Sequence, residues 1–566
     1  MKKNNVKVLT LIALAGTMAT GCQLLKDVDY TVTPDPLEMH GDSVRVKVDV
    51  IFPEKALNKK AIVDITPSVG DVALKPVRVQ GEKATGNGNV IAYKAGGTVT
   101  YTDVVVYHPS MEASGLFVEG KIYKGEKEKD QLEKTKIADA TIVTPFLVNK
   151  DFKVIIAKDA FKRVTEETFG AQINFDKGRS VVKPGELKQD DVKAYQAFLA
   201  AAQSNPKQAI KSINMTGFAS PEGEEDKNNS LSTDRAAAGK EAGLKIAKTA
   251  KNEAASGEVY NMSGSGEDYN GFKALLSADT KMNEDDKNLV LRVLETISGS
   301  AEREQAMRDM GKTFSYLDKN VFPELRRVEM KIVYDQTGYS DEELKALTVS
   351  KPDTLKLEEL LFAATLYSDL NEQLRVYKIA EKNFPQDYRT SNNVGAVLYM
   401  QNKVAEAKAQ FEKANGIKDN PISKNNLGAV AGVNGDRKKA KELLGQANGA
   451  GSEVNYNKGI LNIQDGKYAD AVSNLGSDAS FNKALAELLN GSAASVNGTI
   501  DASADKDSAQ GAYLKAVAAA RQDNLQGVVG SLTSAISKDA SFKAKAAKDR
   551  EFVKYFENAS FTALVK

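Results

Sequence analysis

Residues Gly217–Arg235 read GFASPEGEEDKNNSLSTDR. An apolar run containing Ile210, Ile213 and Met215 leads in, and glycine and proline then punctuate a polar loop. The pattern predicts a strand, a loop, and a helix that opens at Leu231-Ser232 with Arg235 one turn inside it. Such a junction suits a small anion. The first N–H groups of a helix lack partners within it and carry partial positive charge, and a guanidinium nearby can grip a carboxylate with two parallel hydrogen bonds.

Gly217, Gly223, Asn228, Leu231, Ser232, Arg235 and Ala236 fall in register with the pattern G-H-T-D-x-x-G-x-x-x-x-N-x-x-L-S-x-x-R-A. The stretch therefore resembles the peptidoglycan-associating domain of the OmpA family. Phe175 after Ile173, and the run Arg326-Arg327-Val328-Glu329, are similar to that family's opening and closing strands. The resemblance implies an α+β OmpA-like domain over 161–337, with a helical insertion at about 264–322. It further implies that the domain binds the diaminopimelate of the peptidoglycan stem peptide through an aspartate and an arginine. The arginine is Arg235, whereas Ser220 stands at the aspartate position and Phe218-Ala219 replace His-Thr. The phrase Ala-Ser-Pro-Glu-Gly resembles a variant loop of OmpA-like proteins from Bacteroides-type bacteria. The implied peptidoglycan-binding set is Ser220, Glu222, Asn228, Leu231, Ser232 and Arg235, with Glu222 expected to return the missing negative charge over a proline-stiffened loop.

The chain opens MKKNNVKVLTLIALAGTMATGC. Lys2, Lys3 and Lys7 precede an apolar stretch from Val8 to about Ala15, and small residues precede Cys22. This reads as an export signal over 1–21 followed by a lipoprotein cysteine, acylated at Cys22 by chains such as palmitate. The apolar stretch is too short to span a bilayer, and several acyl chains give stable anchoring where one would not. Cys22 is the only cysteine, so no internal disulfide forms. A short lipidated linker, 22–29, would leave the first folded domain close to the membrane.

From Tyr30 the apolar residues alternate with polar ones, as in Val44-Arg45-Val46-Lys47-Val48-Asp49-Val50. Period-two alternation marks half-buried strands. The region 30–150 is expected to be an all-β, immunoglobulin-like sandwich acting as a spacer, with Gly86-Asn87-Gly88-Asn89 as a hairpin turn. The C-terminal part, 350–566, is helical and repetitive. Asn392-Asn393-Val394-Gly395 returns as Asn425-Asn426-Leu427-Gly428, a period of 33. From each glycine an alanine follows (Ala407, Ala440), then a bulky apolar residue (Phe411, Leu444), then another alanine (Ala414, Ala447). Gly459, Ala471 and Leu475 continue the pattern. These positions resemble tetratricopeptide repeats, which implies an all-α solenoid that binds a protein segment.

A net charge of +1 argues against a broad footprint for nucleic acid. With two histidines and one cysteine assigned to lipid, the usual routes to metal binding and nucleophilic catalysis are nearly empty. No acid–base constellation stands out either, so neither an enzyme nor a cofactor is expected. The expected protein is a non-enzymatic outer-membrane lipoprotein facing the periplasm. It would tether the envelope to peptidoglycan and recruit a protein partner through its repeats. The competing reading is a scaffold subunit of an outer-membrane secretion or assembly complex that does not bind peptidoglycan.

Overall fold

The computed structural model describes residues 24–566. The expected signal peptide and Cys22 lie outside the described residues. The chain forms two compact units, one holding the residues up to Lys158 together with Tyr367–Lys566, and the other Asp159–Leu366.

The first unit begins with a β-rich region. In the strand Ser43–Phe52 the alternation seen in the sequence turns Val44, Val46, Val48, Val50 and Phe52 inward and leaves Arg45 and Lys47 exposed. This strand pairs antiparallel with Gly97–Val106 and with Asp29–Val32. A second set of antiparallel strands, Ala61–Val69, Ser114–Lys124 and Lys127–Ile142, supplies Val63, Ile65, Leu116 and Val118 to the same core. Strand Leu37–His40 joins the sets, lying antiparallel to Ser43–Phe52 and parallel to Lys127–Ile142. Leu24 and Leu25 already pack against this core, and Leu25 bridges to Leu57. The stretch 24–28 is therefore part of the fold and not free linker. Residues 86–89 depart from the hairpin expectation. The strands they lie between, Val77–Gly81 and Asn89–Ile91, run parallel, and a hairpin joins only antiparallel strands.

The second part of this unit is an array of antiparallel helix pairs. The pairs are Tyr388–Met400 with Val404–Ile417, Pro421–Val433 with Arg437–Gln446, and Glu453–Gln464 with Tyr468–Leu475. Further helices of 6 to 14 residues follow to Leu525–Lys538. The repeated glycine and the bulky residue after it meet across each pair. A Cβ on Gly395 would sit 2.7 Å from the Phe411 ring, one on Gly428 2.9 Å from Leu444, and one on Gly459 2.6 Å from Leu475. The spacing in the sequence is thus the spacing of one interlock. Ala407, Ala440 and Ala471 are fully buried.

The central unit, Asp159–Leu366, has a four-stranded sheet in the order Val164–Asn174, Arg327–Thr337, Gln208–Ala219, Tyr260–Glu267. Only the last pair is parallel. Helices Asp190–Ser204 and Glu225–Thr249 contribute Tyr195, Leu199, Ala242 and Ile246 to a core with Ile213, Met215, Val328 and Met330. The expected insertion is a cluster of short helices between Tyr269 and Leu325 with its own core of Phe272, Leu276, Val290, Leu294, Leu317 and Phe322. Helices Asp341–Ser350 and Leu357–Thr365 also belong to this unit, so the repeat-bearing unit resumes at Tyr367 and not near residue 350.

Candidate functional site

Strand Gln208–Ala219 ends in the loop Ser220–Glu224, and the following helix begins at Glu225. This corrects the expected start at Leu231. Asn228, Asn229 and Ser230 look like cap residues, but the break is made by Pro221 and Gly223, and Glu225 and Asp226 form an acidic first turn that suits a helix N-terminus. Arg235 therefore lies about 15 Å along the axis from that terminus. Gly217 serves packing instead of the ligand. A Cβ there would stand 1.9 Å from the Ser232 carbonyl oxygen, so the glycine lets strand and helix touch.

Arg235 is only 1% exposed. Its Nε donates to the Arg179 carbonyl at 3.1 Å, Nη1 to that of Phe218 at 2.7 Å, and Nη2 to that of Asp176 at 3.3 Å. The Phe175 ring lies beneath it at 5.4 Å. Among the described residues no carboxylate comes within ion-pairing distance of this guanidinium. Burial lowers its pKa to about 10, the more distant Glu222 charge opposing that effect and Arg326 adding to it. The cation is held by neutral carbonyl dipoles, an arrangement a carboxylate ligand would complete.

Glu222 does not supply that carboxylate within the chain. Its Oε1 accepts from Arg326 Nε at 2.9 Å and pairs with Nη2 at 2.8 Å, both side chains being buried. Arg326 Nε also reaches Ser220 Oγ at 3.2 Å, and Nη2 pairs with Asp318 at 2.8 Å. Glu222 Oε2 is buried without a partner. The Glu222 charge is thus taken up by Arg326, which sits just before the closing strand. The helical insertion secures this loop, for Asp318 lies within it and Arg308 donates to the Glu222 carbonyl at 2.8 Å.

Asn228 Nδ2 donates to the carbonyls of Ser220 and Gly223 and to Glu267 Oε1 at 2.8 Å. Ser232 Oγ accepts from the Gly266 N–H at 2.9 Å and donates to the Asn229 carbonyl. Both brace the loop against the neighbouring strand. Leu231 is half-buried and, with Ser220, Glu222, Asn228 and Arg235, lines a concavity of about 610 Å³. Of the six expected site residues, five therefore face one hollow, and Ser232 lies behind it. No group of histidine, cysteine and acidic side chains able to hold a metal occurs among the described residues.

A second constellation lies outside the expectations from sequence. The asparagines that mark the repeat hold the extended segment Val148–Lys158. Asn393 Oδ1 accepts from the Ala157 N–H at 2.7 Å while its Nδ2 donates to the Ala157 carbonyl at 3.0 Å. Asn426 does the same to Ile155 at 2.7 and 2.8 Å, Asn457 to Lys153 at 2.7 and 2.8 Å, and Asn482 to Asn149 at 2.8 and 2.9 Å. Asn392 and Asn425 add donors to the Ile155 and Lys153 carbonyls, both at 3.1 Å. All six asparagines are fully buried. A signal for four of them exists in the sequence: the pair Asn392-Asn393 returns once, 33 residues on, as Asn425-Asn426, beside small apolar positions where a polar pair has no packing purpose, whereas Asn457 and Asn482 fall outside that spacing. Periodicity identifies the repeat but not what it holds.

No family model matches the chain, and no curated protein matches it significantly. Solved helical-repeat structures do. The tetratricopeptide protein YrrB, described as having an unusual peptide-binding site, is 20% identical over 36% of this chain and 94% of its own, with a TM-score of 0.21. A tetratricopeptide repeat protein from Parabacteroides merdae is 14% identical over 42% of this chain and 94% of its own, with a TM-score of 0.28. The Cut9–Hcn1 hetero-tetramer of APC/C matches over 52% of this chain and 57% of its own at 10% identity and a TM-score of 0.30. At such identities the likeness concerns fold alone.

Proposed function

We propose that the chain is a non-enzymatic envelope lipoprotein, anchored in the outer membrane by lipid on Cys22 and facing the periplasm. Its central OmpA-like domain grips peptidoglycan, its immunoglobulin-like β region is a spacer, and its repeats serve as a protein-interaction scaffold. The observation that carries the reading is Arg235: a buried guanidinium caged by three carbonyls and lacking an acidic partner among the described residues, at a hollow shared with the Ser220–Glu224 loop. The ligand is a carboxylate of a stem peptide, such as that of diaminopimelate.

Pelleting with purified sacculi tests this. The wild type is expected to co-sediment, and Arg235→Lys to lose binding while remaining folded by circular dichroism, because a lysine keeps the charge but not the planar fork. Failure of the wild type to sediment would sink the wall-binding reading.

The second reading, a scaffold subunit of an outer-membrane secretion or assembly complex, is favoured by the internal pairing of Glu222 with Arg326, which leaves the ligand's ammonium without an obvious anion. Under it, the same envelope proteins co-purify with wild type and Arg235→Lys, and neither pellets with sacculi.

A further inference from the structure

We propose that the groove of the repeats is a clamp for the chain's own linker: residues 149–157 are its resident ligand, read through their backbone, and they close it to peptides from other proteins. The proposal does not depend on wall binding.

Three features carry it. First, the contacts are to the main chain. Each of Asn393, Asn426, Asn457 and Asn482 offers one acceptor and one donor to the N–H and C=O of a single residue, which is how an adjacent strand would satisfy them. The residues gripped at Lys153, Ile155 and Ala157 alternate, the period of an extended chain. Second, the side chains on the strap are also accommodated. The Phe152 ring lies over Gly432, where a Cβ would come within 2.5 Å, and Tyr399 donates its hydroxyl to the Phe152 carbonyl at 3.0 Å. Phe152, Ile155 and Ala157 are all buried. Third, the asparagines and the strap form one connected network: Asn392 donates to Asn393, Asn425 to Asn426, Asn426 to Asn392 and Asn457 to Asn425, and all of them are fully buried with the strap in place. A second protein therefore meets the repeats on other faces, unless its peptide displaces this strap.

Two measurements test this on the full chain. In residue-resolved hydrogen exchange, the amides of Lys153, Ile155 and Ala157 should exchange at least about 100-fold more slowly than unstructured amides, a span well within that of native-state openings. Uniformly fast exchange over 149–157 would overturn the proposal. In the second, a fluorescein-labelled peptide of residues 148–158 is titrated into the wild type and into a variant whose residues 149–157 are replaced by a Gly-Ser sequence. Binding is expected only to the replaced variant, and Asn426→Ala in that background should weaken it about tenfold. Equal binding by wild type and replaced variant would show an open groove, and no effect of Asn426→Ala would show that the asparagines do not read the backbone. Should the replaced variant fail to fold, the exchange pattern of the wild type alone decides.

Discussion

At Asn426 one carboxamide satisfies both polar groups of Ile155, but the two are not equally dependent on it. The Ile155 carbonyl keeps a second donor in Asn392, whereas its N–H has Asn426 as the acceptor shown. Asn426→Ala should therefore cost about 1–3 kcal/mol for each buried donor it orphans, the Ile155 N–H and one N–H of the Asn425 carboxamide, read as a lower midpoint in urea unfolding of the full chain. Glu222 presents the opposite case, a charge whose partner matters more than the charge. Arg326→Met leaves a carboxylate buried alone and should cost about 3–5 kcal/mol, while Glu222→Gln combined with Arg326→Met should recover most of that. Thermal melts of the two variants check the order. The sequence could show an acid, Glu222, two positions after Ser220. It could not show that an arginine 104 positions on takes the charge up, because that pairing depends on a fold closed by the last strand of the sheet.

Among elements, the helix pairs of the repeat were the most legible, since one contact geometry is written three times. Gly395 with Phe411, Gly428 with Leu444 and Gly459 with Leu475 are the same knob and hole. Gly428→Ala should overpack its pair by about 1–3 kcal/mol, and Leu444→Ala introduced beside it should restore part of the loss, so that the two changes are non-additive in denaturant titrations. The helix carrying Arg235 was less legible. Its interior holds Asn228, Asn229, Ser230 and Ser232, residues that favour caps, and local propensity alone puts the start too late. The bonds of Asn228 and Ser232 to the loop and to the neighbouring strand override that preference. The extended segment 148–158 was illegible for a different reason. It has no periodic partner in its own neighbourhood, and what orders it lies 236 to 333 residues away.

At the scale of the molecule, the unit built from both ends of the chain contains a buried charge cluster. Arg521 pairs with Glu551 and Glu38, and Glu551 also accepts from Thr144 Oγ1 at 2.5 Å. Burial raises the Glu551 pKa above its ordinary 4.5, and Arg521 pulls it back. For Arg521, burial lowers the pKa but Glu551 and Glu38 outweigh it, so the net shift is upward. In Arg521→Met the restraint on Glu551 vanishes and its folded-state pKa rises further. A carboxyl raised in the folded state contributes stability fully below its unfolded pKa and loses it as pH rises through the folded value. The deficit of Arg521→Met should therefore be small near pH 4.5 and grow toward neutrality, a trend that melts at several pH values would reveal.

The asparagine-held strap also fixes an order of events during biosynthesis. The β strands and residues 149–157 leave the ribosome first, then all of Asp159–Leu366, and only afterwards the helices bearing Asn393 to Asn482. At ordinary elongation rates that delay is on the order of ten seconds or more. During it Phe152 and Ile155 are nascent apolar residues with no groove to enter. The final third of the chain thus acts as a check on completeness: a product ending before Phe481 would lack Asn482 and Glu551 and keep the strap partly unsheathed, a ready substrate for proteases.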